Sequence, residues 1–380
     1  MTIDSSNASK VLDSVPVIDI EPLILQTKPE AAAAATTTPT TPPLACCTGD
    51  NGEIIDNDSI SISARRESCI QEIAAACQEW GFFYVKNHGI SKNTIQTFRS
   101  NMASFFSLPQ TTLDKIRRNK HNSRGYFDDE LTKNKLDWKK CFDFGAQDGS
   151  LDNEGMDGKN QWPSLEEHET FEIVMRDYYT KMEHLSRVLL GALCESIGFD
   201  SAALHDNFDG NHTSYLRMNY YPICNDTENH MAVHHHTDAG ALTVLYQDDH
   251  VTSLQVYREK EDKWYFIPPC EDTFVINVGD MIQVWSNDVY KAPLHRVQAN
   301  ASHERYSAPF FYNPAYMADV KPLIGDHTSS DNGGGDDSGE CKTNGKALYK
   351  VVNWGDFRRK RFEGDFADVG VEVQISHYRI

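Results

Sequence analysis

From about residue 213 onward the sequence consists of short runs rich in β-branched and aromatic residues. The runs are 215–221, 241–246, 253–257, 263–267, 273–278 and 281–285. Turn signals such as Pro268-Pro269 and Gly279-Asp280 separate them at near-regular intervals. Many short strands with regular turns are typical of a β-sandwich or barrel. The second half of the chain is therefore predicted to be a β structure.

The first half has a different pattern. Apolar residues recur at helical spacing in 61–80, 91–107 and 165–197, which predicts three amphipathic helices. Short strands are predicted at 15–20 and at 82–85. The predicted fold class is α+β with a mainly β core, flanked by helices from the N-terminal half.

Two polar tracts interrupt these patterns, an Ala/Thr/Pro/Asp-rich one at 28–59 and a Gly/Ser/Asp-rich one at 326–346. Such compositions bury too little apolar surface to order themselves, so we interpret both as surface insertions. The predicted division is an N-terminal α/β region at 1–130, a helical linker region at 131–212 and the β core at 213–325. The second insertion at 326–346 and a C-terminal segment at 347–380 follow.

The overall charge restricts the class of partner. Lys and Arg total 36 against 56 Asp and Glu, a formal net charge of -20, which argues against nucleic-acid or anionic-membrane partners. The nine cysteines follow no ligand spacing, as in a reduced intracellular protein. No apolar run approaches the roughly 20 residues of a membrane span, and the N-terminus lacks signal-peptide features. We expect a cytoplasmic monomer that acts on a small molecule.

A candidate metal site lies in the segment 231–238, Met-Ala-Val-His-His-His-Thr-Asp. Residues two apart share one face of a strand, so His236 and Asp238 can reach the same ion. His234 shares that face and is the rival ligand, whereas His235 points away. His295, which follows another predicted strand, is the candidate third ligand.

Two imidazoles and a carboxylate are the facial ligand set of non-haem Fe(II) oxygenases. The set leaves three coordination positions, enough for a bidentate 2-oxo acid and O₂, whereas a structural zinc site is closed and usually richer in Cys. Arg305 and Ser307 share a strand face ten residues further on, and a guanidinium beside a hydroxyl suits a carboxylate. Taken singly, each motif also fits a solvated patch or a surface ion pair.

Together these motifs resemble those of the 2-oxoglutarate/Fe(II)-dependent dioxygenases, in the branch that contains isopenicillin N synthase. The resemblance rests on four spaced motifs: His236-Thr-Asp238, Gly240-Ala-Leu-Thr-Val-Leu245, His295-Arg-Val297 and Arg305-Tyr-Ser307. Further matches are 15–19, 80–83 with 87–89, 219–222, and Ser286-Asn with Lys291. They extend along nearly the whole chain, outside the two insertions.

The resemblance implies a double-stranded β-helix (jelly-roll) core, with Fe(2+) held by His236, Asp238 and His295. It implies 2-oxoglutarate and O₂ as cosubstrates, with ascorbate as a supporting reductant. Arg305 and Ser307 would bind the distal carboxylate of 2-oxoglutarate. Tyr221 would add a hydroxyl, and Asn219 would lie beside the metal.

The implied reaction is oxidation of a small metabolite by hydroxylation, desaturation or oxidative cyclisation, with release of succinate and CO₂, in a pathway such as specialised metabolite biosynthesis. One alternative is a related non-haem iron oxidase that does not use 2-oxoglutarate, and another is a catalytically silent jelly roll that binds a metal or a small acid. Five aromatic residues are candidates for the substrate pocket, although each also fits core packing: Tyr126, Phe142, Phe144, Phe311 and Tyr312.

Overall fold

The computed structural model describes residues 15–26, 57–132, 135–146, 158–209, 212–324, 345–364 and 373–380. The helices are α1 (Glu21–Gln26), α2 (Asn57–Glu79), α3 (Lys92–Phe106), α4 (Gln110–Leu113), α5 (Phe171–Ser196), α6 (Asp280–Trp285) and α7 (Trp354–Gly364). The first strands are β1 (Val17–Asp19), β2 (Phe82–Lys86), β3 (Gly125–Phe127), β4 (Leu131–Thr132), β5 (Lys135–Leu136) and β6 (Lys140–Gly145). The next are β7 (Tyr215–Tyr221), β8 (Met231–His236), β9 (Leu242–Gln247), β10 (Leu254–Arg258) and β11 (Lys263–Phe266). The last are β12 (Phe274–Val278), β13 (His295–Gln298), β14 (Arg305–Tyr312), β15 (Asp319–Val320) and β16 (Val352–Asn353).

Strands β7 to β14 form two facing sheets, and β1, β2, β3 and β6 extend the larger one. The large sheet has the order β1-β2-β12-β9-β14-β7-β6-β3, and the small sheet has the order β11-β10-β13-β8. Successive strands pass from one sheet to the other, except for the β10–β11 hairpin, whose strands both lie in the small sheet. This order is that of a double-stranded β-helix, and it confirms the predicted fold class.

The two faces of the large sheet are covered differently. One face packs on an apolar layer shared with the small sheet, to which Phe82, Tyr84, Val233 and Val275 belong. The other face packs on the helices, where Tyr178 of α5 stacks on Phe98 at a centroid distance of 3.7 Å. Since both faces are covered, β12 is buried along its whole length. The core therefore lies between sheet and sheet, and between sheet and helices.

The main helices agree with the sequence pattern. The predicted helices at 91–107 and 165–197 are observed as α3 and α5. The Ser91 side chain caps α3 by accepting a hydrogen bond from the Thr94 amide at 3.1 Å. The predicted strand at 82–85 is β2, which pairs with β12 and so joins the N-terminal half to the large sheet.

One predicted strand is wrong. Residues 281–285 belong to helix α6, and Met281, Ile282, Val284 and Trp285 are all buried. Only Gln283 interrupts the buried apolar residues of this short run, and a run of this length cannot be assigned to a helix or a strand by periodicity alone. His295 consequently follows this helix and an irregular segment, and it is the first residue of β13.

The two predicted insertions lie mostly outside the described residues. Helix α2 begins at Asn57, so the tract predicted at 28–59 extends three residues too far. Of the tract at 326–346, the structure describes Gly345 and Lys346. The large sheet takes strands from three of the predicted segments, which means that boundaries at 130 and 212, still predictions, do not separate independent sheets.

No helix among the described residues is long and apolar enough to cross a membrane.

Candidate metal centre

His236, Asp238 and His295 meet at one end of the small sheet. His236 is the last residue of β8, and its partner across the β8–β13 ladder is His295. Asp238 lies in the turn immediately after β8. Each side chain offers one ligand atom, and these atoms lie within 4.8 Å of one another. The fold therefore brings together the three residues singled out in the sequence.

Both imidazoles are oriented by backbone carbonyls. His236 Nδ1 lies 2.8 Å from the His234 carbonyl oxygen, and His295 Nδ1 lies 3.1 Å from that of Pro293. Since a carbonyl can only accept, each Nδ1 carries the proton and each Nε2 keeps its lone pair. The Nε2 atoms of His236 and His295 lie 3.6 and 3.7 Å from Asp238 Oδ1. Three donor atoms of the correct type thus face one point.

The Asp238 carboxylate is held at its other oxygen. Oδ2 accepts hydrogen bonds from Thr243 Oγ1 at 2.5 Å and from Asn277 Nδ2 at 2.8 Å, which leaves Oδ1 directed at the imidazoles. Thr243 and Asn277 are cross-strand partners on β9 and β12. Neither was predicted from the sequence, although Thr243 lies in the Gly240–Leu245 motif.

Two pKa shifts keep the centre ready for a cation. Burial alone would raise the pKa of Asp238, but His295, His236 and the Thr243 hydroxyl outweigh it and hold this pKa below its ordinary value. Burial, followed by the neighbouring His236, lowers the pKa of His295 to about 4. At neutral pH the pair is therefore a carboxylate and a neutral imidazole, the forms that bind metal.

The turn that carries Asp238 is fixed by close backbone packing. The Asp280 amide donates to the Asp238 carbonyl at 2.8 Å. A Cβ atom on Gly279 would lie 2.3 Å from the Gly240 carbonyl oxygen and 3.0 Å from that of Asp238, so only glycine fits there. On the other side, Arg361 Nη2 of α7 donates to the Thr237 carbonyl at 2.9 Å.

The rival ligand His234 is turned away from the centre. Its Nδ1 lies 2.9 Å from Asp137 Oδ1, and its amide donates to the same oxygen at 3.1 Å. His235 is exposed, and its ring lies 6.5 Å from that of Trp264. The alternation predicted along this strand is therefore observed, and the His234 imidazole is held by Asp137 instead of joining His236, Asp238 and His295.

A second group of polar residues lies on β14 and β7 beside this centre. Arg305 is paired with Tyr221 in the ladder, and Ser307 is paired with Asn219. Ser307 Oγ lies 3.2 Å from the Tyr221 hydroxyl and 3.4 Å from Asn219 Nδ2. All four side chains line the same cavity as the three candidate ligands. The residues predicted to bind the cosubstrate thus form one cluster.

Arg305 is the residue in this cluster that lacks a counter-ion. Its side chain is only 2% exposed, and Nη2 donates to Gln247 Oε1 at 3.0 Å. Among the described residues, neither Nε nor Nη1 has a hydrogen-bond partner, and no carboxylate forms an ion pair with the Arg305 guanidinium. A buried charge without a partner is costly. This guanidinium is therefore prepared to receive an anion.

The candidate substrate residues divide between the two faces of the sheet. Phe311 lines the cavity. The other four are fully buried in the core on the helical side, away from the cavity: Tyr126, Phe142, Phe144 and Tyr312. The reason is strand alternation, since Tyr312 adjoins Phe311 on β14 and must point to the opposite face.

Two charged residues of the cavity wall were missed in the sequence, Lys139 and Arg217. Arg217 lies two positions before Asn219 on β7, so strand periodicity gave a signal for it. Lys139 precedes β6, and no pattern in the sequence indicated that it reaches the cavity. The remaining wall is largely apolar, and it includes Leu254 and Val297.

Comparison with known proteins agrees with this geometry. Residues 212–314 match the model of the 2OG-Fe(II) oxygenase superfamily. Residues 53–165 match the N-terminal model described as "non-haem dioxygenase in morphine synthesis". The first match contains every candidate ligand and clamp residue.

Individual relatives are similar over most of the chain. Jasmonate-induced oxygenase 3 of Arabidopsis thaliana is 34% identical over 271 residues, which cover 70% of this chain and 71% of that protein. Homoarginine-6-hydroxylase 2-ODD-233 of Oryza sativa subsp. japonica is 31% identical over 280 residues, 71% of this chain and 84% of that protein. The crystal structure of JOX2 in complex with 2OG, Fe and JA superposes with a TM-score of 0.65 at 29% identity, covering 78% of this chain and 82% of that one.

Proposed function

This chain belongs to the 2OG-Fe(II) oxygenase superfamily, and we propose that His236, Asp238 and His295 bind its iron. It is an oxidoreductase that uses Fe(2+), 2-oxoglutarate and O₂ to oxidise a small molecule. Arg305 and Ser307, with Tyr221, are proposed to bind 2-oxoglutarate. The observation that carries the proposal is a buried guanidinium, without a counter-ion among the described residues, in the same cavity as an open set of two imidazoles and a carboxylate.

The residues present fit both groups. The iron would receive His236 Nε2, His295 Nε2 and Asp238 Oδ1, because Nδ1 of each imidazole and Oδ2 of the carboxylate are already held by other groups. The bound iron and 2-oxoglutarate together supply the oxidising chemistry. The distal carboxylate of 2-oxoglutarate would compensate the charge of Arg305 and accept hydrogen bonds from the Ser307 and Tyr221 hydroxyls.

The chain's own contribution is orientation and the exclusion of water. The carbonyls of residues 234 and 293 fix the proton on each Nδ1, and Thr243 and Asn277 fix the Asp238 carboxylate. Apolar side chains such as Leu254 and Val297 surround the reacting region and limit the access of water.

Several finer assignments are part of the same proposal. Asn219 would position Ser307, and Phe311 would contact the organic substrate. The reaction would be hydroxylation, desaturation or ring closure of a metabolite, and the names of the relatives, which mention jasmonate and homoarginine, favour small metabolites. We further propose a monomeric, cytoplasmic protein without a nucleic-acid or membrane partner.

The test compares neighbouring histidines. The purified protein, loaded anaerobically with Fe(II), should develop a visible charge-transfer band on addition of 2-oxoglutarate and should release succinate and CO₂ once O₂ is admitted. His236→Ala should lose the band and the succinate, whereas His235→Ala should keep both, because its ring lies on the other face of β8.

Two results would contradict the proposal. Equal iron stoichiometry in the His236→Ala and parent proteins would refute the assigned ligands. Substrate oxidation without succinate would instead indicate an iron oxidase in which Arg305 binds the substrate itself.

A further inference from the structure

The cavity wall carries a second pair of cations besides Arg305. Lys139 is buried, the side chain of Arg217 is 12% exposed, and both line the cavity, yet neither belongs to the proposed iron or cosubstrate sites. Arg217 and Tyr221 are four residues apart on β7, which separates their Cα atoms by about 13 Å along the strand. Arg217 is thus well removed from the Tyr221 end of the cosubstrate clamp.

Glu130 joins the two cations. Its carboxylate lies 2.6 Å from Lys139 Nζ and 2.8 Å from Arg217 Nη1. Asp143 accepts hydrogen bonds from Arg217 Nε and Nη2, both at 2.8 Å, and Asp137 lies 3.1 Å from Lys139 Nζ. Because both cations contact one carboxylate, their charged ends lie close together.

Lys139 and Glu130 are both ionised at neutral pH. Burial would lower the pKa of Lys139, but Glu130 and Asp137 raise it above its ordinary value. Burial would raise the pKa of Glu130, but Arg217 and Lys139 lower it below its ordinary value. The cluster therefore presents permanent charges to the cavity.

The arrangement is polarised across the cavity wall. Lys139 and Arg217 line the cavity, whereas Glu130, Asp137 and Asp143 are not among the lining residues and lie behind them. The ammonium uses two of its three N–H groups on Glu130 and Asp137, and the guanidinium uses three of five on Glu130 and Asp143. Among the described residues, the other three N–H groups have no hydrogen-bond acceptor.

We propose that the organic substrate is a carboxylic acid whose carboxylate binds to Lys139 and Arg217. The inference rests on the proposed function, because it assigns a second anion site in the same cavity as the cosubstrate clamp. Donors without acceptors select a group that only accepts hydrogen bonds. The carboxylates that compensate the two cations are not among the lining residues, so the charge that faces the cavity is positive and favours a negatively charged group. A cationic substrate would meet like charges there.

The rest of the acid has to be mainly apolar. The remaining cavity wall includes apolar side chains such as Phe311, Leu254 and Val297. Such side chains offer no hydrogen bonds to a polar skeleton. The substrate class is therefore a small acid with a hydrocarbon or aromatic body.

The test uses matched acids and esters. Protein loaded with Fe(II) and 2-oxoglutarate is titrated anaerobically with phenylacetate, cyclohexylacetate, indole-3-acetate and a medium-chain fatty acid, and separately with their methyl esters. Binding is measured by calorimetry and by perturbation of the charge-transfer band. At least one acid should bind, and its ester should bind at least about tenfold more weakly, because it lacks the charge. Equal binding of acid and ester, or binding of no acid, overturns the proposal.

A charge-conserving variant separates recognition from folding. Arg217→Lys keeps a cation beside Glu130 and Asp143 but removes the guanidinium fork, so the affinity for the acid should fall about tenfold or more. The matched control is Arg118→Lys, since Arg118 lies 3.6 Å from the same Glu130 but does not line the cavity. The control should bind the acid like the parent protein, and the 2-oxoglutarate affinity should stay within about twofold in both.

Failure of the proposed function and failure of the acid site give different results. A parent protein that binds neither Fe(II) nor 2-oxoglutarate refutes the proposed function. A parent protein that binds both, with acid affinity unchanged in Arg217→Lys and in Lys139→Gln, refutes the acid site alone and leaves the ion cluster a structural role. Thermal unfolding of each variant confirms that the comparison is made on folded protein.

Discussion

Replacement of Arg305 by methionine tests the cosubstrate site most directly. Methionine has a similar length and no charge, so it can fill the buried space that the arginine occupies. In the free protein the change removes a buried cation for which the described residues provide no counter-ion. The free variant should therefore be about as stable as the parent protein, or more stable.

Binding of 2-oxoglutarate should respond in the opposite direction. Two nitrogen atoms of Arg305, Nε and Nη1, have no hydrogen-bond acceptor among the described residues. A hydrogen bond to a charged group contributes about 1.5–3 kcal/mol, so the loss of two amounts to about 3–6 kcal/mol. Since 1.4 kcal/mol corresponds to a tenfold change in affinity, the Kd of 2-oxoglutarate should rise by about 10²–10⁴. The Ser307 and Tyr221 hydroxyls remain as hydrogen-bond donors, so we expect a rise at the lower end of this range.

Anaerobic calorimetry of the Fe(II)-loaded protein measures this Kd, and thermal unfolding provides an independent check. At 100 times its Kd, 2-oxoglutarate should stabilise the parent protein by about 2.7 kcal/mol and leave Arg305→Met almost unaffected. The matched control is Arg296→Met, whose guanidinium lies outside the cavity over the Trp264 ring at 4.0 Å. A Kd in Arg305→Met within about threefold of the parent value would refute the assigned clamp.

Three further predictions concern the support of the site. Asn277→Ala removes a hydrogen bond that orients the Asp238 carboxylate, and Fe(II) affinity measured by chelator competition should fall about 10–100-fold; unchanged affinity would show that Thr243 suffices. Gly279→Ala places a methyl group 2.3 Å from the Gly240 carbonyl oxygen, so the free energy of unfolding in urea should fall by about 1–3 kcal/mol, together with the iron content; a stable, iron-replete variant would contradict the close packing. The pKa of Glu130 is held below its ordinary value of 4.5, so the ionised carboxylate stabilises the folded protein above that pH, and this stabilisation is lost as the pH falls. Between pH 5 and 3.5 the free energy of unfolding of the parent protein should fall by up to about 1.4 kcal/mol per pH unit more than that of Glu130→Gln. An equal pH dependence of the two proteins in urea unfolding would refute this.

Much of the site could be predicted because its residues lie in short, regular strands. Alternation along β8 excluded His235, and alternation along β14 placed Arg305 and Ser307 on one face. The same rule shows why Phe311 and Tyr312 cannot both face the cavity. The helix at 280–285 is the failure of this approach, since a short apolar run has the same composition in either conformation.

The amino-acid sequence by itself determined the local features: the type of most elements, the face of each side chain within a strand, and the candidate ligand set of His236, Asp238 and His295. These features depend on residues a few positions away in the sequence, so they can be inferred without knowledge of the tertiary contacts. Only the tertiary structure decided that Asp137 turns His234 away, that Thr243 and Asn277 hold one carboxylate oxygen, and that Lys139 and Arg217 converge on Glu130. Those contacts join residues up to about a hundred positions apart, and no periodicity along the chain specifies which strands become neighbours. Which charged groups pair and which side chains are buried depends on which strands become neighbours.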